Sequence, residues 1–153
     1  MSDIQNSKPV RLAAAAYRAA LADKQESAVR YVQRISDECG GSGLNVALRA
    51  WSDWYADHAT DGQPVRAKAR MAFIQSDSGQ LDREDSDRLP PEIRWAGQII
   101  AARCALDEDR FNELIDEMPR DGKLIGDYVL ATLLTIARTV NGLPRGFARM
   151  GRS

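Results

Sequence analysis

The chain has 153 residues, 44% of them hydrophobic and 28% charged, with 21 Lys and Arg set against 22 Asp and Glu. That length suits one domain with its own core, and the near-neutral balance excludes a global field that would draw in nucleic acid or an anionic membrane. No apolar run reaches the roughly 20 residues of a membrane span, and the alanine stretch Ala13 to Ala16, flanked by Arg11 and Arg18, lacks the layout of a signal peptide, so a cytoplasmic protein is expected.

In chain order, Ser7 and Pro9 mark a first helix start, a capping hydroxyl followed by a proline whose missing N–H costs nothing in a first turn. Val10, Ala13, Ala14, Tyr17, Ala20 and Leu21 follow at helical spacing. Asp23 and Glu26 read as a capping box for a second helix striped by Ala28, Tyr31, Val32 and Ile35. The run Gly40 to Gly43 ends that helix as a glycine cap; it lacks the preceding strand and the Lys-Ser/Thr ending of a phosphate-binding loop. A third helix then carries Leu44, Ala47, Leu48, Trp51, Trp54 and Tyr55, closed by Asp61-Gly62.

Pro64 opens a fourth helix, to about Gln75, with Val65, Ala69, Ala72 and Phe73 on one side and Arg66, Lys68 and Arg70 off it. The acidic stretch 76–89 has too little apolar surface to offset its ordering entropy and reads as a surface loop. Pro90-Pro91 restart order in a fifth helix with Trp95, Ile99, Ala102 and Leu106 on its stripe. Asp107 begins a sixth, with Phe111, Leu114, Ile115 and Met118, broken by Pro119 and Asp121-Gly122. The seventh, about Leu124 to Val140, is apolar nearly all round and belongs at the centre of the core. No window alternates with a period of two.

The two halves echo each other. Ala20-Leu21 parallels Ala105-Leu106, and Ala28, Tyr31, Val32 and Ile35 have the spacing of Phe111, Leu114, Ile115 and Met118. Asp61-Gly62 closes one half as Asn141-Gly142 closes the other. The expectation is therefore a single all-α domain over 1–142, a compact bundle of about seven helices. It would hold two three-helix pseudo-repeats, about 7–62 and 90–142, joined by a helix and the acidic loop, with 143–153 as a basic flexible tail.

Among candidate sites, Trp51, Trp54, Tyr55 and His58 share a helix face, and such side chains supply contact area with a polar handle. The tail adds Arg145, Phe147 and Arg149, cations around an aromatic. Asp53, Asp57 and Asp61 recur every four residues and read as a solvated face with Arg49 paired to Asp53. Cys39 and Cys104 stand apart and His58 is the only histidine, so clustered metal ligands and cofactors are not expected. Two Glu-x-x-Asp steps, Glu113/Asp116 and Glu84/Asp87, are similar to the magnesium-holding steps of all-α nucleotide pyrophosphohydrolases, but the first faces away from its helix's apolar stripe.

The stretch RWAGQIIAARCALDEDRFNELIDEMP, with its alternation of Ala-rich and Arg/Asp-rich helices, resembles small all-helical actinobacterial proteins of unassigned function. The resemblance is one of style over most of the chain and implies no activity. Helix–turn–helix pairs also resemble tetratricopeptide arrays, whose Trp-x-x-Leu-Gly pattern and 34-residue period are missing. The reading that follows is a non-catalytic cytoplasmic interaction or regulatory module whose partner is a protein or a second copy of itself, with neither nucleic acid nor membrane as the expected partner. The alternatives are a magnesium-dependent pyrophosphohydrolase-like enzyme and a nucleic-acid-associated regulator.

Overall fold

A computed structural model of the protein describes residues 7–61 and 90–146. Every regular element among them is helical: α1 Lys8–Leu21, α2 Gln25–Thr60, α3 Pro91–Cys104, α4 Glu108–Glu117 and α5 Gly122–Gly142. The all-α class is as expected, but the described residues form five helices rather than about seven. Two of the predicted helices are the two arms of α2. The predicted helix at 64–75 and the acidic loop 76–89 lie outside the described residues.

The two arms of α2 meet at a kink at Gly40, where the backbone leaves helical values. Gly40 has φ +70° and ψ −164°, a region that only glycine occupies without strain. Gly43 completes the bend, since a Cβ there would lie 2.3 Å from the Cβ of Cys39. The glycine run thus interrupts the helix where the sequence placed an ending, and the second arm restarts at once beyond the kink.

Helix starts follow local chemistry. Ser7 and Pro9 open α1, although the Ser7 hydroxyl does not make the capping bond expected of it, and Pro90-Pro91 open α3. Asp107 accepts the Arg110 amide at 3.1 Å to cap α4, and Asp121 accepts the Lys123 amide at 2.9 Å to cap α5. The expected capping box at Asp23 does not form. Lys24 occupies the N-cap of α2, while Asp23 sits at φ +62° in the turn before it. Its amide closes onto the Ala20 carbonyl, and the Lys24 amide onto Ala19. This six-to-one, five-to-two pair of bonds is the Schellman ending of a helix.

The same turn ends α3, where the Leu106 amide closes onto Arg103 and that of Asp107 onto Ala102, with Leu106 at φ +57°. Leu106, expected on the apolar stripe of its helix, is instead 59% exposed in that turn. One shift of 83 positions carries Lys8 onto Pro91, Leu21 onto Cys104 and Gln25 onto Glu108.

As expected from its apolar surround, α5 is central, packing against α1, α2 and α3. It buries Val129, Leu133, Ile136 and Ala137. Around it lie Leu12, Ala13 and Ala16 of α1, Val32, Ile35, Leu48 and Trp51 of α2, Trp95 and Ile99 of α3, and Phe111 and Leu114 of α4. The alanines of α1 bring it close against α2, an approach that bulkier side chains would prevent.

Candidate functional site at the end of the long helix

The aromatic stripe divides by depth. Trp51 and Tyr55 are fully buried, and the Trp51 indole donates to the Ala13 carbonyl of α1 at 2.9 Å. Burial pushes the Tyr55 phenol far above its ordinary range. No surface of either ring is left for a partner, so two of the four expected docking side chains are core residues. The reason is geometric: α1 and the second arm of α2 meet along this stripe, and large rings fill the space beside the small side chains of α1.

Trp54 and His58 keep part of their surface open. Trp54 meets Tyr17 of α1 with ring centroids 5.2 Å apart and planes inclined at 49°, a tilted contact of favourable geometry. The Tyr17 phenol is pushed up, first by burial and then by the nearby Asp57 carboxylate. His58 Nε2 lies 2.9 Å from the Leu143 carbonyl, which can only accept, so Nε2 bears the proton. The Gly146 amide in turn donates to the His58 carbonyl at 2.6 Å.

These contacts bring the start of the tail onto the end of α2. Arg145 donates from Nη2 to Asp57 at 2.9 Å and from Nε to Asp61. The two carboxylates raise the guanidinium further above its ordinary value, Asp57 first. Trp54 and His58 thus share one surface with Asp57 and Asp61 of the same helix and with Tyr17 and Arg145, which are distant in sequence. Phe147 and Arg149 lie outside the described residues. The four-residue spacing of Asp57 and Asp61 pointed to a shared face, but nothing local in the sequence showed that Arg145 would fill it.

The other charged candidates form lateral ties. Arg49 was expected to pair with Asp53; it reaches Glu108 at 2.6 Å and lies 4.3 Å above the Phe111 ring. Asp53 instead takes Arg103, its Oδ1 2.9 Å from Nε and its Oδ2 3.1 Å from Nη2. Glu113 and Asp116 are exposed on α4, where Arg110 sits 3.2 Å from Glu113 and 3.5 Å from Glu117. Glu84 and Asp87 lie outside the described residues. Among the described residues no group of three His, Cys, Asp or Glu side chains is placed to hold a metal ion, and no helix is long and apolar enough to cross a membrane.

The surface at the end of α2 therefore offers a half-buried aromatic pair, one histidine with a fixed proton, and a rim of charges locked by Arg145. No family model, curated protein or solved structure matches the chain.

Proposed function

We propose that the protein is a non-catalytic binding module that docks a protein partner on the Tyr17–Trp54 face at the end of α2. The observation that carries this reading is the aromatic pair itself, its rings held against each other yet only partly covered, while Trp51 and Tyr55 of the same helix are buried. Rings already held in place lose little rotamer freedom when a partner covers them, as in a binding hot spot. Asp57, Asp61 and Arg145 form the polar rim that fixes orientation. The module works without a cofactor, and the cytoplasm is the compartment in which its partner is sought. The matched ends of α1 and α3, with the common shift of 83 positions, support reading the two halves as copies of one helix–turn–helix unit.

The test is capture from a nuclease-treated lysate with the wild-type chain and Trp54→Ala as baits, followed by titration of the purified partner. A partner that binds wild type and weakens about tenfold or more with Trp54→Ala, at unchanged helix content, supports the reading. A partner that binds both baits equally, or none at all, overturns it.

A further inference from the structure

A second surface lies away from that face. The first arm of α2 and the first turns of α5 leave a groove of about 180 Å³ between them, walled by Val29 and Val32 on one side and by Gly126 and Leu130 on the other. Val29 is 42% exposed. Lys123 and Asp127 stand on the α5 side, one turn apart. Both side chains are exposed, and neither forms an ion pair among the described residues.

Gly126 is the one glycine in the interior of α5, and it lines the groove. It stands in the second turn of α5, where glycine weakens a helix relative to alanine. Its backbone does not need glycine, because its φ is not in the left-handed region, and a Cβ built on it meets nothing within 4 Å. Among the described residues nothing requires the missing side chain. A neighbouring backbone laid along the groove would require it, since only a residue without Cβ permits the closest helix approach.

We propose that this groove is the contact through which two copies of the chain associate about a twofold axis, each laying the start of α5 against that of the other. Charge identifies the occupant. A twofold contact must be self-complementary, residue i meeting j and j meeting i. Two α5 starts running antiparallel place Lys123 of each copy opposite Asp127 of its mate, making two equivalent ion pairs from the two unpaired groups. Val29 and Leu130 are covered at the same time, and Gly126 admits the opposing backbone. The contact patch is small, so the dimer is a weak, concentration-dependent one.

The experiment is sedimentation of the full chain from micromolar to near-millimolar concentration. Wild type is expected to pass from the 16.9 kDa monomer to twice that mass. Lys123→Asp or Asp127→Lys alone sets like charges face to face and weakens association about tenfold or more. The double exchange K123D/D127K restores it. Gly126→Leu abolishes the dimer while raising the melting temperature of the monomer, which separates loss of contact from loss of fold. Trp54→Ala leaves the dimer unchanged, so this inference and the proposed docking face fail separately. A chain that stays monomeric at every concentration, a dimer indifferent to the single reversals, a double exchange that does not rescue, or a dimer retained by Gly126→Leu overturns the proposal.

Discussion

At the scale of single residues, the two buried tryptophans make similar hydrogen bonds with different consequences. The Trp51 indole donates to Ala13 O, a carbonyl inside α1 that already serves the helix ladder. The Trp95 indole donates at 2.8 Å to Leu114 O, in the last turn of α4. That carbonyl has no amide to take it, because the Met118 amide bonds to Ile115 and Pro119 has none. Removing the Trp51 donor therefore costs contact area and one bond, whereas removing the Trp95 donor also orphans a buried acceptor. Trp95→Phe is expected to lower stability by about 1–2 kcal/mol more than Trp51→Phe does, read from urea unfolding midpoints at a common slope. Equal losses would show that Leu114 O finds water or another donor.

At the scale of elements, the turns ending α1 and α3 are the clearest unit of structure, and they show what sequence makes legible. Helix starts were readable because proline and aspartate act through their immediate neighbours: Ser7-Lys8-Pro9, Pro90-Pro91 and Asp107 all mark true N-termini, whereas Asp121, read as a helix breaker, is the cap of α5. The turns themselves were not, since Asp23 resembles a cap and Leu106 continues an apolar stripe, while neither is the glycine that usually marks a left-handed position. The candidate face was half legible. Spacing placed Trp51, Trp54, Tyr55 and His58 together, but depth depends on which helix covers them, and that is decided by α1 and by the chain after α5. Ion pairs such as Arg49–Glu108 span too much sequence for any local pattern to display. A left-handed, exposed leucine has a price of its own: glycine at position 106 removes the Cβ conflict and the exposed apolar surface together. Leu106→Gly is expected to stabilise the protein by about 0.5–1 kcal/mol, against a smaller gain for Asp23→Gly, because aspartate tolerates this conformation better. Thermal unfolding of the two variants beside wild type checks the ranking; a loss of stability in Leu106→Gly would mean that the leucine makes a contact that outweighs its strain.

At the scale of the molecule, helices brought together by an apolar centre are tied at the surface by charge. Glu38 at the end of the first arm of α2 takes Arg34 of the same arm and Lys8 at the start of α1, at 2.8 and 2.7 Å. Glu108 at the start of α4 takes Arg49 of α2 and Arg103 of α3, at 2.6 and 3.1 Å. Each carboxyl is held below its ordinary value, Glu38 to about 2, by hydrogen bonds chiefly from Arg34 and then Lys8. For Glu108 the hydrogen bond from Arg49 is the main cause. A carboxyl whose pKa is lower folded than unfolded adds stability above its unfolded pKa, and that stability disappears as pH falls through the folded value. For Glu38 the window runs from the ordinary 4.5 down to about 2. Both carboxylates are exposed and their pairs are open to screening, so the ties adjust stability while the core around α5 supplies it. Glu38→Gln and Glu108→Gln should therefore melt below wild type at neutral pH, and the gap should narrow as pH falls, closing for Glu38 near pH 2. Added salt should narrow the same gap at neutral pH. Melting curves from pH 7 to 2 at low and high salt decide the matter: gaps that stay constant across the acid range would mean that these side chains hold the helices through packing of their stems rather than through charge.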